Sequence, residues 1–407
     1  MMKIIKRILI GCICVLLIAV AGIYGMWHNE IGSIMSIQQI VPAKDENQSG
    51  PVYVMDVQGD YYFDDFLAQG GVSNDSQLID FVVGNITKGI IPVSLSAPEI
   101  GCSSFTAVDK EGKRYFARNY DFSTTSGMIV RTAPGNGRYA SISSVDLQFL
   151  GIKDGAPIDG FMKKVICLAA PYVPIDGMNE AGVAVGIYMS YQGDTDNVTA
   201  TDQNTDRPDL TSTTMLRMIL DYAGSVDEAI QLVSQYDLHD SAGTSFHYMV
   251  ADSTGASAIL EWTYGSDHTD NDGSRRELKV YRNDQDEMVG VKEAADEYQY
   301  VTNFIVTPDY YELVDDMKGL DRYQMIQETV NPDETNTAGL FEKNESLFLL
   351  ETIGRRKWDA QKGESDQNHI TVWSALYDLT DRSVTWVSNE EFDNPSSIFT
   401  FDFSYLK

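Results

Sequence analysis

The chain has 407 residues, 43% of them hydrophobic, with 60 acidic against 30 basic side chains and a net charge of −30. That apolar content can bury a sizeable core and excludes a disordered polymer. The acidic excess excludes a nucleic-acid partner, which would need a basic patch for counterion release; it serves solubility instead.

Lys3, Lys6 and Arg7 precede an uncharged run from Ile8 to Trp27, 20 residues long, about what a helix needs to cross a bilayer. Residues 1–27 are therefore read as a signal or anchor segment that puts the bulk of the protein outside the cytoplasm, tied to the cell membrane. Ala19-Val20-Ala21 has the form of a signal-peptidase site, so release is the alternative. Leu9-Ile10-Gly11-Cys12 has the outline of a lipid-attachment box, but apolar residues continue well past Cys12.

Residues 28–101 read as a linker and pre-segment. Residues 28–51 are polar and contain Asp45-Glu46-Asn47-Gln48-Ser49-Gly50-Pro51, a solvated linker by composition,. Residues 60–67 and 78–83, the latter behind the cap candidates Asn74, Asp75 and Ser76, predict short helices that need a larger body to pack on.

From Cys102 onward the pattern changes to strands joined by tight turns. Residues 103–108 and 113–118 flank the turn Asp109-Lys110-Glu111-Gly112, which sets Cys102 at the start of one strand and Arg118 at the end of the next. Similar hairpins are expected over 245–262 and 371–388. Helices are expected over 213–222, 226–236, 320–330 and 346–353, the second behind the capping box Ser225-Val226-Asp227-Glu228,. Hairpins separated by helical pairs imply antiparallel sheets covered by helices, an α+β layered fold over 102–407.

Of 4 cysteines, Cys12 and Cys14 lie in the apolar run, leaving Cys102 and Cys167. One structural disulfide is the plain reading for such a pair in an exported chain. Cys167, within Val165-Ile166-Cys167-Leu168-Ala169-Ala170, otherwise reads as a small buried hydrophobe. Cys102 is then the reactive candidate. It stands in Gly101-Cys102-Ser103-Ser104-Phe105 and is followed, 16 and 19 residues later, by the Arg118 and Asp121 of Arg118-Asn119-Tyr120-Asp121. A thiol attacks only as thiolate, so it needs nearby positive charge or a base, and a base needs an orienting partner.

These residues resemble the start of the catalytic domain in the choloylglycine hydrolase and penicillin V acylase family of N-terminal nucleophile hydrolases. Asp176-Gly177-Met178-Asn179-Glu180 resembles that family's aspartate-glycine-x-asparagine-glutamate motif, Val301-Thr302-Asn303 its threonine-asparagine pair, and Asp321-Arg322-Tyr323 its late arginine. The pre-segment is similar to that of the acid ceramidase and N-acylethanolamine amidase branch, in which this piece stays bound as a small subunit. The resemblance implies a four-layer αββα N-terminal nucleophile hydrolase fold, with two antiparallel sheets sandwiched between helices. It also implies that the chain cuts itself after Gly101, freeing the α-amino group of Cys102.

By the same resemblance Cys102 is the nucleophile, its α-amine the base, and Asp121 the holder of that amine. Arg118 favours the thiolate, Asn303 donates to the oxyanion, and Arg322 supports the site. An unperturbed α-amine titrates near about 8, so no histidine is required. Met189 falls where the family places an oxyanion-hole residue, asparagine or tyrosine in its known members. Its backbone amide can donate, while its side chain favours a long apolar acyl group. Asn179 either shapes the start of its strand or is a turn residue.

The implied activity is hydrolysis of linear N-acyl amides through a Cys102 thioester, with bile-salt conjugates and penicillin V as the next substrates and no metal or cofactor. The alternatives are an acyltransferase using the same thioester and a binding protein that keeps the fold with its junction uncut; a homo-oligomer is left open. Arg118 and Asp121 could also be an ordinary surface pair, worth at most about 1 kcal/mol, and His247 a satisfied core histidine. Asp267, Asp270 and Asp272 lack the closing glutamate of a calcium loop,, and no His-Glu-x-x-His suggests zinc.

Overall fold

The structure, a computed structural model, describes residues 10, 22, 25–44, 49–86, 101–192, 199–264, 273–283, 298–312, 315, 317–331, 339–362 and 370–406. Most of the apolar N-terminal run and the three aspartates weighed as a calcium loop lie outside the described residues. Among the described residues no helix is long and apolar enough to cross a membrane, and no group of three metal-ligating side chains forms.

Helix α1 covers residues 25–36, from the end of the expected anchor segment into residues 28–36, where composition predicts a linker. Strands β1 (Gln38–Val41) and β2 (Val52–Val57) follow, then α2 (Phe63–Ala68) and α3 (Asp75–Asn85). The last two are the helices expected from the sequence. Asn74 caps α3, its side chain accepting from Gln77 N,. Phe63, Phe66 and Phe81 pack around Tyr172, so the larger body these helices need is the downstream chain.

Strands β3 (Gly101–Val108), β4 (Arg114–Phe122), β5 (Gly127–Thr132) and β6 (Ser141–Asp146) come next, followed by α4 (Gly160–Ile166), β7 (Asp176–Asn179) and β8 (Ala184–Met189). A short parallel pair, β9 (Asp209–Thr211) and β10 (Asp237–His239), flanks α5 (Ser212–Tyr222) and α6 (Val226–Val233). The rest comprises β11 (Phe246–Ala251), β12 (Ser257–Thr263), β13 (Glu277–Arg282), β14 (Tyr300–Val301), α7 (Leu320–Val330), α8 (Lys343–Thr352), α9 (Arg355–Lys362), β15 (Ile370–Asp378), β16 (Ser383–Ser388) and β17 (Ile398–Asp402).

Among the described residues two large sheets form, in the orders β1-β2-β5-β6-β7-β8-β11-β12-β13 and β14-β3-β4-β15-β16-β17. All neighbours are antiparallel except β2 and β5. The sheets stack face to face. Helices α5 and α6 cover the first through β7, β8 and β11, and α7, α8 and α9 cover the second through β14, β3, β4 and β15. This is the α+β, four-layer αββα arrangement. Trp373, stacked 4.1 Å from Tyr120 and 6.0 Å from Trp386, fills the layer between the sheets.

Two expectations need correction. Arg118 does not end its strand: β15 pairs with β4 as far as Phe122, placing Arg118 opposite Ala375 in mid-strand. The disulfide weighed from composition does not form, since Cys102 and Cys167 are both free and buried.

Candidate active site

Alternation along β3 and β4 divides the site in two. Cys102 pairs with Tyr120 and Ser104 with Arg118, while Gly101 pairs with Asp121. Residues opposite one another share a face and successive residues take opposite faces, so Cys102, Ser104, Arg118 and Tyr120 look into the layer between the sheets. Asn119 and Asp121 look out toward α7 and α8.

On the inner face Arg118 lies over the thiol. Its Nη2 donates to Cys102 Sγ at 3.3 Å and to Ile187 O at 2.7 Å, and its Nε donates to Asp176 Oδ2 at 2.9 Å. The guanidinium also sits 4.4 Å from the centre of the Tyr188 ring, a cation–π contact. Asp176 is fixed further by Trp373 Nε1 at 2.9 Å and by the Tyr377 hydroxyl. Gly186 leaves the room that this packing needs: a Cβ there would lie 2.7 Å from the Tyr188 hydroxyl and 3.0 Å from Arg118 Nη1. Burial pushes the Cys102 thiol up to about 11, Arg118 being the chief group pulling it down. Burial works against the Arg118 charge, but the surrounding Cys102, Tyr188 and Asp176 raise its pKa overall.

On the outer face Asp121 accepts from Arg322 Nη1 at 2.5 Å and from the Thr371 hydroxyl at 2.7 Å. It lies against Gly101, where a Cβ would come within 3.0 Å of Asp121 Cβ and 3.2 Å of its Oδ2. Asn303 joins the two halves. Its Oδ1 accepts from Cys102 N at 2.9 Å and from Arg322 Nη2 at 3.1 Å, and its Nδ2 donates to Met189 O at 3.0 Å. Cys102, Arg118, Asp121, Asn303 and Arg322 are thus linked directly, with Met189 meeting them through its carbonyl.

Asn179 stands apart. Its Oδ1 accepts from Ala181 N and Val183 N, each at 3.1 Å, and its Nδ2 donates to Leu220 O and Ala223 O at 3.2 and 2.7 Å. It closes the β7–β8 turn and ties it to the end of α5, the turn-residue reading. His247 is a buried, satisfied side chain, 2.8 Å from Glu261 Oε1 and 2.9 Å from Thr302 O. The sequence reading overlooked the parts played by Asp176 and Tyr188. Asp176 opens the Asp176-Gly177-Met178-Asn179-Glu180 motif already singled out, and that motif was the available signal.

The profile of the linear amide C-N hydrolases, choloylglycine hydrolase family, matches residues 102–307, about half of the chain. The chain belongs to the choloylglycine hydrolase family. It is therefore a hydrolase of the carbon–nitrogen bond of linear amides, and the match begins at Cys102. No curated protein matches this family member. Its solved relatives include the conjugated bile acid hydrolase from Clostridium perfringens, at 15% identity and a TM-score of 0.47, covering 75% of this chain and 93% of that one. Penicillin V acylase from Agrobacterium tumefaciens has 15% identity and a TM-score of 0.36, with coverages of 74% and 86%. The Caenorhabditis elegans ortholog of N-acylethanolamine-hydrolyzing acid amidase has 13% and 0.38, with coverages of 69% and 93%.

Proposed function

We propose that this choloylglycine hydrolase family member is a cysteine amidase that cleaves N-acyl amides with apolar acyl chains, using Cys102 once the chain has cut itself after Gly101. The observation that carries the reading is the hold on both reacting atoms of one residue. The Cys102 nitrogen, which becomes the α-amine, lies 2.9 Å from Asn303 Oδ1, and the sulfur lies 3.3 Å from Arg118.

In the cut enzyme the neutral α-amine takes the Sγ proton, and the thiolate attacks the substrate carbonyl carbon. Arg118 favours the thiolate, and Asp121, braced by Arg322 and Thr371, holds the ammonium. The tetrahedral oxyanion accepts from the Met189 backbone amide and from Asn303 Nδ2, whose second hydrogen is available beside the one given to Met189 O. Losing such a donor typically costs roughly 3–4 kcal/mol in the barrier. The ammonium proton then passes to the leaving nitrogen, the C–N bond breaks, and a Cys102 thioester remains. Water, deprotonated by the same amine, adds to the thioester carbon; the C–S bond breaks, the carboxylic acid leaves, and the ammonium proton returns to Sγ. This sequence requires no metal or organic cofactor.

The apolar acyl preference rests on the place of Met189 in the sequence, where the family has asparagine or tyrosine,. The basic residues before the 8–27 run support export and a membrane tether through residues 1–27,. The test is a panel of dodecanoyl, phenoxyacetyl and cholyl amides of one amine. The expected result is the highest kcat/KM for dodecanoyl, with acid-quenched digests carrying the acyl group on the Cys102 peptide. Turnover confined to phenoxyacetyl or cholyl amides contradicts the acyl preference, and an acyl group found elsewhere contradicts the nucleophile.

A further inference from the structure

After β16 the chain turns back through residues 388–391, closed by Glu391 N donating to Ser388 O at 3.1 Å. Both central residues, Asn389 and Glu390, are left-handed, with φ of 57° and 58°. Asparagine tolerates that region, but the second position of such a turn favours glycine, and a glutamate there is strained. Strain of this kind persists only where the surroundings over-determine it.

They do so here. The Glu390 side chain is 7% exposed and points inward between β15 and α9. Its Oε1 accepts from Arg356 N at 3.0 Å and its Oε2 from Thr371 N at 3.3 Å. The Arg356 guanidinium lies 3.6 Å from the carboxylate and donates to Asn389 O at 2.8 Å and Asn389 Oδ1 at 2.6 Å, so one arginine clamps both left-handed residues. Gly354 admits the carboxylate, since a Cβ there would lie 2.6 Å from Glu390 Oε1. Thr371, whose amide Glu390 receives, in turn donates its hydroxyl to Asp121 at 2.7 Å. β15 bulges between Thr371 and Trp373, a device that re-aims a side chain.

We propose that Glu390 is a positioning residue: through Thr371 it fixes Asp121, and its charge sets the pH at which the α-amine of Cys102 becomes a base. The inference rests on the proposed function, with Asp121 against that amine. A negative charge behind Asp121 favours the ammonium and so raises the pH at which the neutral base appears. The charged groups that act on Glu390 are Arg356 from α9 and Asp121 from β4; Glu391, next to it on the turn, acts on Arg356 and is paired with Lys44 at 2.5 Å. Burial is the largest influence lifting Glu390 to about 7, with Arg356 lowering it and Asp121 raising it. Its charge is therefore present above neutral pH and lost below.

The experiment compares Glu390→Gln and Glu390→Asp with the wild type on one amide, reading kcat and KM against pH and the melting temperature of each. Glutamine keeps the shape and removes the charge, so the acid limb of kcat/KM should move to lower pH by at least about half a unit, with KM within about twofold. Aspartate keeps the charge but falls a methylene short of Thr371, so kcat should drop at least about tenfold with the limb in place. An unmoved limb in Glu390→Gln, or losses in both variants that merely follow lost folded protein, overturns the inference alone. Wild-type protein without the cut at Cys102, or without amidase activity, overturns the proposed function and this inference with it.

Discussion

Cys102 is held at two atoms, its sulfur by Arg118 and its nitrogen by Asn303. The even offset of 16 residues to Arg118 puts the guanidinium on the sulfur's face, and the odd offset of 19 puts Asp121 on the other face, against Gly101,. Arg118 itself is placed by Asp176 from the other sheet, with Tyr188 beneath it and Gly186 leaving space. A single methyl group therefore tests how closely Arg118 must be held. Gly186→Ala would press on the Tyr188 hydroxyl and Arg118 Nη1, a strain of about 1–3 kcal/mol. It should lower kcat at least about tenfold while circular dichroism still shows a folded protein at the assay temperature. Wild-type kcat in that variant would contradict the role given to Arg118.

At the scale of elements, the strand β2 of the pre-segment pairs with β5 in parallel over residues 52–57. Arg131 grips Asp56 through two hydrogen bonds of 2.5 and 2.8 Å, and the Tyr61 hydroxyl donates to buried Asp221 at 2.7 Å. A cut after Gly101 leaves all of these contacts intact. The two pieces should co-elute from a sizing column under native conditions and separate only in denaturant; separation without denaturant would contradict the sheet as described. The sequence announced those elements that carry local signals. The hairpins over 103–118, 245–262 and 371–388 showed in the sequence, α6 its Ser225 cap, and α7 its full span. Strands β1 and β2 gave no such sign, because the first has a half-exposed Gln-Gln-Ile-Val sequence and the second pairs with a strand about 75 residues away,. Family-like spacing picked out the residues that meet around Cys102 and, in the motif it opens, Asp176, whereas Tyr188 and Glu390 depend on contacts between distant strands that no local period encodes.

At the scale of the molecule, the site exists only when the two sheets are packed together. Arg118 comes from one sheet and Asp176 from the other, Tyr188 reaches across to Ser104, and Asn303 reaches Met189 from the loop after β14. If the chain cuts itself as proposed, the cut should follow folding, because the groups around Cys102 meet only in the packed sheets. Denaturing mass spectrometry of a preparation whose amidase activity has just been measured tests this most directly. The account predicts that the 45.3 kDa chain is replaced by two pieces, the larger beginning at Cys102, and that Cys102→Ala yields one intact, inactive chain. A fully active preparation that is unbroken between Gly101 and Cys102, or a Cys102→Ala protein that still turns over substrate, would contradict it.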